Sequence, residues 1–360
     1  MSLRVRRIVA LPGEGIGIEV VEATCEVLEG AGLPLKILHP PQGAAALKEH
    51  GTPIPEETKR AAREADGVLF GAAGPSSSAV VSWLRWEMEA YAGVRPVRFF
   101  PGMHSPLADP DGIDYVILRE NSQDLYPGRE GDLETLARLM PDLADKTGRR
   151  IGQFGAGKFA VKVVTPAGVE RIARFAVELA RKRQARGKPG KVTCVTKSNV
   201  LPKSDGLFQQ VSERVVKDAG LAFEHFHVDD MARRLVRFPT QMDVVLCMNL
   251  YGDILSDLAA ETAGGLGLAP SGCFGDGWAY FESVHGSAPD IAGKGIANPT
   301  ATILSAAMML DHVGLPAESR RLQDAVGSVY RERKTLTPDQ GGSATTRTMA
   351  QPVLAAYRSA

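Results

Sequence analysis

No apolar run in this 360-residue chain reaches the roughly 18 residues that a membrane-spanning helix needs. An excess of one charge sign is also missing. Lys+Arg and Asp+Glu stand at 42 each, so nothing draws the molecule as a whole toward nucleic acid or an anionic bilayer. The dense basic run at residues 181–191 (RKRQARGKPGK) is local, and a solvated helix end leading into a loop accounts for it. Cysteine is scarce. Cys25, Cys194, Cys247 and Cys273 form no C-x-x-C, and two of them sit in apolar strand-like runs, as buried reduced thiols of a cytoplasmic protein would. Internal repeats and low-complexity tracts are absent. The N-terminal MSLRVRRIVALPGEG passes from basic to apolar, but its apolar part is too short for a signal peptide and runs into a glycine turn, so it reads as a first strand. What remains is 44% apolar and 23% charged, the make-up of a globular protein with room for two domains or one large α/β unit.

The pattern of elements is an alternation of strands and helices, which predicts an α/β architecture. Residues 7–11 are strand-like and end in Pro12-Gly13-Glu14-Gly15-Ile16-Gly17, after which a helix is expected over residues 18–29. This loop lacks the G-x-G-x-x-G spacing, and no acidic residue follows a second strand at the right distance, so a Rossmann fold is not expected. Strands are expected at residues 35–38, 67–73, 115–118, 191–196, 222–228 and 244–248. Helices are expected at 55–64, 83–91, 166–182, 208–219, 232–238, 301–310, 317–332 and 345–357. Residues 128–164 show no clear sheet pattern.

Chemistry concentrates after the apolar run 244–248, in NLYGDILSDLAAETAGGLG. Asp253 and Asp257 lie four apart where the pattern turns helical, so they share one face at a helix start just past a strand's carboxyl end. Such a pair suits Mg²⁺ or Mn²⁺, and it equally suits an N-cap with a solvated first-turn acid. Asp229, after another strand, makes an all-oxygen divalent site plausible. Arg85, Arg95 and Arg119 stand among apolar residues and need anionic partners, which a di- or tricarboxylate or three separate ion pairs would supply. Lys197 and Tyr126 each follow a strand and have the chemistry of a proton-transfer pair. His285 opens a loop of small residues that lets backbone N–H groups approach a flat or phosphorylated ligand.

Five segments in order, YAGVRP, LRENSQDLY, TKSNVLP, NLYGDILSDLAA and VHGSAPDIAGKGIANPTA, resemble the β-decarboxylating dehydrogenases. That family includes the isocitrate, homoisocitrate, 3-isopropylmalate and tartrate/D-malate dehydrogenases, and the resemblance runs through nearly the whole chain. It implies a two-domain α/β fold with a mixed central sheet. Residues 1–100 plus 262–360 would form the large cofactor-side domain and 101–261 the small domain with the dimer interface. It implies NAD-dependent oxidative decarboxylation of a malate-type 2-hydroxy acid, with Mg²⁺ or Mn²⁺ on the hydroxyl and α-carboxylate. Arg85, Arg95, Arg119 and Asn199 would bind substrate. Lys197 would assist removal of the hydroxyl proton, and Tyr126 would protonate the enol. Asp229, Asp253 and Asp257 would hold the metal, with Lys197 and Asp229 supplied by the neighbouring subunit of a homodimer.

On the cofactor side the resemblance assigns His285, Gly286, Ser287, Ala288 and Asn298 to the adenosine half. Asp290 would meet the ribose 2′-hydroxyl, where an aspartate repels a 2′-phosphate and so favours NAD over NADP. The chain departs from the family at four places: GEGIG for GDGIG, RENSQDLY for RENTEGLY, Gly93 for an asparagine, and Val81-Ser82 one turn before Arg85, where isopropylmalate enzymes carry leucines. The substituent on substrate C3 is therefore open, and a tartrate/D-malate-type enzyme is the alternative. A non-catalytic regulatory subunit, a class the family contains, is expected to lose a metal aspartate, the tyrosine or the lysine, and all are present.

Overall fold

The computed structural model describes residues 4–359. In chain order its strands are β1 (Arg6–Gly13), β2 (Leu35–Leu38), β3 (Gly67–Ala72), β4 (Ala92–Arg98), β5 (Asp114–Glu120), β6 (Glu130–Asp132), β7 (Lys158–Ala160), β8 (Lys191–Thr196), β9 (Ala222–His227), β10 (Val244–Cys247), β11 (Pro270–Phe274) and β12 (Ala279–Ser283). The helices are α1 (Ile16–Gly30), α2 (Gly43–His50), α3 (Glu56–Glu64), α4 (Ser78–Ser82), α5 (Leu133–Leu139), α6 (Pro166–Gln184), α7 (Ser204–Asp218), α8 (Val228–Arg237), α9 (Asn249–Thr262), α10 (Thr300–His312), α11 (Pro316–Glu332) and α12 (Thr346–Ser359). Among the described residues no helix is long and apolar enough to cross a membrane.

Ten strands make one sheet in the order β2-β1-β3-β12-β11-β4-β5-β10-β8-β9. Four strands at one end, β2, β1, β3 and β12, are mutually parallel. Four at the other, β5, β10, β8 and β9, are also parallel. Between them β12, β11, β4 and β5 pair antiparallel, so the two parallel blocks run in opposite directions. The sheet is mixed, as expected, and has no doubly wound Rossmann order. Strands covered on both faces read as unbroken apolar runs, and GVLFGA of β3 and VVLC of β10 are buried at every position. The loops after β1, β3 and β12 lie at the carboxyl ends of the first block. Those after β5, β8 and β10 lie at the carboxyl ends of the second, where open α/β sheets receive ligands.

Helix α6 shows how local signals and packing agree. Thr165 caps it by accepting from Gly168 N at 3.2 Å, and Pro166 follows at the first helical position. Val169, Ile172, Ala176 and Val177 face the core, the valine and isoleucine side chains each worth roughly 1.5–3 kcal/mol when fully buried. Phe175 and Leu179 are only partly buried against it. At the end of α6 the basic run turns inward. Arg183 and Lys188 pair with Asp114 at 3.2 and 2.7 Å, and Arg183 also binds buried Asp243.

Several expectations change. Helix α9 starts at Asn249 with Met248 as its N-cap, so Asp253 and Asp257 lie in its second and third turns, and neither is a cap. Helix α8 begins at Val228, which places Asp229 inside its first turn. The helix expected at 83–91 is α4 continued by a wide turn over Trp83–Glu87. Its amides reach back five residues, Met88 N to Trp83 O at 3.1 Å and Ala90 N to Arg85 O at 2.9 Å. Residues 128–164 do contain structure, the antiparallel pair β6–β7 and helix α5, all with mainly exposed side chains.

Candidate active site

Strand β4 carries Arg95 and the end of β5 carries Arg119, and both side chains are buried. Arg119 donates to the Asn249 side chain through Nε at 3.0 Å and Nη2 at 2.7 Å. Its Nη1 meets the Asp253 carboxylate, which also takes a 3.2 Å bond from Arg95. The Tyr126 hydroxyl donates to the other Asp253 oxygen, and the Arg119 guanidinium lies 4.4 Å over the Tyr126 ring. One carboxylate therefore answers two buried cations. Burial and the neighbouring charges of Arg95 and Arg85 push the Arg119 guanidinium down to about 10. Arg95 Nε is buried and, among the described residues, has no hydrogen-bond partner. A nest with surplus positive charge and an unanswered donor fits a polycarboxylate.

Arg85, aimed by the wide turn, meets two residues of β12: Glu282 Oε1 at 3.1 Å and the Tyr280 hydroxyl at 3.3 Å. Tyr280 also donates to Glu282 Oε1 at 3.2 Å. Glu282 was not among the residues singled out from the sequence, although a carboxylate within the strand AYFES was a visible signal. Val81 and Ser82 are half-buried one turn before Arg85.

The loop that carries Tyr126 is held at its root by Glu120. Its buried carboxylate accepts from Ser122 N at 2.9 Å and Gln123 N at 2.8 Å, while burial pushes the carboxyl up. The Asn249 side chain donates to Gln123 O at 3.2 Å, tying this loop to the start of α9. Gly93 sits against Asn121, where a Cβ would stand 3.0 Å from the Asn121 side chain. Glu14 explains one departure from the family pattern. Its longer reach lets Oε2 accept from Ser76 N, Ser77 N and Ser77 Oγ at 3.0–3.1 Å, joining the first glycine loop to the segment before α4.

Lys197 and Asp229 pair with each other, and the Lys197 ammonium hydrogen bond holds the exposed Asp229 carboxyl below its usual range. Among the described residues, neither makes a hydrogen bond or ion pair with Asp253 or Asp257. Among these same residues no three His, Cys, Asp or Glu side chains come together to hold a metal. Asp257, one turn after Asp253, is exposed and makes no ion pair or hydrogen bond among the described residues. It leaves free oxygens beside Asp253 for a hard cation, a donor set that fits Mg²⁺ or Mn²⁺ once a third acid joins. Asn199 is exposed and, among the described residues, without a hydrogen bond.

On the other block, the glycine loop and the loop after β12 touch. Ile16 N donates to Ser287 O at 3.0 Å, and a Cβ on Gly15, whose φ is +60°, would lie 2.0 Å from that oxygen. Ala288 and Ile291 pack on Ile16, Val20 and Ala297. His285 Nε2 is buried and, among the described residues, without a partner, and burial pushes its imidazole below the usual range. Gly286 has open space where a side chain would be, and Asp290 is exposed. These features fit the adenosine half of a dinucleotide. The Asn298 side chain is already committed: its amide donates to Asp339 at 2.9 Å and Tyr330 at 3.1 Å, and its oxygen caps Thr300 N at 3.0 Å. Only its main chain is left for a ligand.

The family model for isocitrate/isopropylmalate dehydrogenase matches residues 7–353. The chain belongs to the isocitrate/isopropylmalate dehydrogenase family. It is 43% identical over 348 residues to the 3-isopropylmalate/3-methylmalate dehydrogenase of Methanocaldococcus jannaschii, covering 96% of this chain and 97% of that one. It is 42% identical over 361 residues to the isocitrate/homoisocitrate dehydrogenase of Thermus thermophilus, covering 98% and 99%. The crystal structure of isocitrate dehydrogenase from Methylococcus capsulatus superposes with a TM-score of 0.85 at 36% identity, covering 98% and 99%. These relatives are dehydrogenases, which makes the protein an oxidoreductase of an isocitrate/isopropylmalate dehydrogenase-type fold.

Proposed function

We propose that the protein is an NAD-dependent, Mg²⁺- or Mn²⁺-assisted dehydrogenase that decarboxylates a malate-type 2-hydroxy acid. It works as a cytoplasmic homodimer whose active sites are shared between subunits. The observation that carries this reading is the convergence of Arg95, Arg119 and Tyr126 on Asp253. In it Arg95 and Arg119 take the substrate carboxylates through charge-assisted bonds, and Arg85, held by Glu282, swings its remaining N–H groups toward the same ligand. Tyr126 delivers a proton to the enol carbon, and Lys197 of the partner subunit helps remove the hydroxyl proton. Asp253, Asp257 and the partner's Asp229 would hold a divalent cation, which would supply Lewis-acid stabilisation of negative charge on substrate oxygens. NAD would supply the hydride acceptor when bound, and the exposed Asp290 would favour it over a cofactor carrying a 2′-phosphate.

The split site is supported by the distance in role between two pairs on one chain: Lys197 answers Asp229, whereas Asp253 answers arginines. The division into a large cofactor-side domain (1–100 plus 262–360) and a small one (101–261) is supported by separate apolar clusters. One gathers α1, α10, α11 and α12, and another gathers α6, α7 and the second strand block.

The test is NADH absorbance with a panel of isocitrate, homoisocitrate, 3-isopropylmalate, 3-methylmalate, D-malate and tartrate, with and without EDTA. We expect turnover of at least one member, abolished by chelation and restored by Mg²⁺ or Mn²⁺. Turnover that survives exhaustive chelation contradicts the metal assignment, and preference for D-malate or tartrate selects the alternative substrate class.

A further inference from the structure

Asp124 is a carboxylate beside the site to which the roles above give no task. Its φ is +71°, a left-handed backbone, and it is 1% exposed. The other described non-glycine residues with positive φ, Glu89, Ala288 and Arg333, are not buried. A glycine at 124 would take this backbone without strain and bury no charge, so packing alone does not account for an aspartate. The compensation must come from its bonds. Asp124 Oδ2 accepts from Leu250 N at 2.9 Å, an amide in the first turn of α9 that no helical carbonyl can serve. Asp124 N donates to Val163 O at 2.8 Å, which brings Lys162 alongside.

Lys162 Nζ lies 3.7 Å from Asp124 Oδ1, donates to Asp205 Oδ1 at 2.7 Å and sits 4.7 Å over the Tyr251 ring. Asp205 is fully buried, and its Oδ2 accepts from the Lys197 amide at 2.7 Å and from the Tyr251 hydroxyl at 3.2 Å. One ammonium thus faces two buried carboxylates, hydrogen-bonding Asp205 and answering Asp124 Oδ1, which accepts no hydrogen bond among the described residues, by charge alone. The first carboxylate grips the start of α9, which carries Asp253 and Asp257, two residues before Tyr126. The second grips the backbone of Lys197. A buried, charge-paired network of this kind is stiff, because loosening one member strands a charge.

We propose that Asp124, Lys162 and Asp205 form a positioning device that locks the Tyr126 loop, the first turn of α9 and the Lys197 turn into one body. This rests on the dehydrogenase reading in one respect: if Tyr126 and Lys197 of one chain serve different active sites of the dimer, the device links those two sites through the chain. Binding at one site then reaches the other through these hydrogen bonds and the 3.7 Å ion pair of Lys162 with Asp124.

The experiment is amide hydrogen exchange on the unliganded homodimer, comparing wild type with Asp124→Gly, which keeps the turn, and Lys162→Gln, which keeps the Leu250 bond. Asp124→Gly is expected to speed exchange about tenfold at residues 121–128, at Leu250 and at residues 197–201 together, with α11 unchanged. Lys162→Gln is expected to loosen 197–201 while Leu250 keeps its protection. Exchange confined to 121–128 in Asp124→Gly overturns the link, and unchanged exchange everywhere overturns the device. These readings need no turnover, so a protein inactive on every hydroxy acid sinks the dehydrogenase reading and leaves this test standing. With an active enzyme, Asp124→Gly is expected to lower kcat about tenfold with KM held within about twofold. A lower Tm with unchanged kcat of the folded protein marks a purely structural aspartate and overturns the proposal.

Discussion

Asp253 and Asp229 are both aspartates on helices that follow strand ends, yet their surroundings differ. The Asp253 side chain is 34% exposed, and its partner Arg119 is 1% exposed. The Asp229 side chain is 68% exposed, and its partner Lys197 is 27% exposed. Around Asp253, arginines, an asparagine, a tyrosine and Ser256, which accepts from Arg95, are fixed by one another before any ligand arrives. Around Asp229, among the described residues, only Lys197 makes a hydrogen bond or ion pair with the carboxylate. The first cluster is a preorganised pocket whose assembly the fold enforces. The second is a pair of long side chains whose pairing is worth little in itself and whose orientation is open to change. A site that needs both is completed when the exposed pair is docked against something, and a second copy of the chain is the partner the proposed function supplies.

The contrast can be broken most sharply at Arg119. Arg119→Gln removes a buried guanidinium and leaves Asn249 and Asp253 without it. A loss of about 3 kcal/mol in stability is expected, with loss of turnover, read by denaturant unfolding and initial rates. A fully stable variant would show that the pocket is not preorganised by this residue. Lys197→Met makes the opposite prediction. Its stability should stay within about 0.5 kcal/mol of wild type, while kcat falls by roughly 10²–10⁴. A kcat near wild type removes Lys197 from the chemistry. Smaller still is the expected effect of Asp290→Lys with Ile291→Tyr, which should move the ratio of kcat/KM toward NADP without changing the dependence on metal. An unchanged ratio counts against Asp290 as the group that reads the ribose.

Much of this was legible in the chain. The run at 244–248 announced a buried strand, and the four-residue spacing of Asp253 and Asp257 announced a shared helix face. The apolar spacing over residues 166–182 announced α6. What the residues could not announce depends on partners far away in sequence. Helix α9 begins before Asp253 because Asp124 answers the amide of Leu250 and Arg119 occupies the Asn249 side chain, contacts more than a hundred residues apart along the chain. Arg85 could be read as needing an anion. That the anion in this state is Glu282 of β12 follows from a sheet register joining distant strands. The antiparallel centre of the sheet was hidden for the same reason. The β6–β7 pair and α5 were missed because their residues are mostly exposed and carry no apolar period.

The most direct test of the central claim, that one chain holds two halves of different sites, is to mix two inactive variants. Lys197→Met and Asp253→Asn each disable one half. Unfolded together and refolded as dimers, they should form hybrids in which one site carries both defects and the other carries none. With random pairing, activity should return to about a quarter of wild type. If each site is built from a single chain, every site in the mixture carries a defect, and the activity stays at the level of the separate variants.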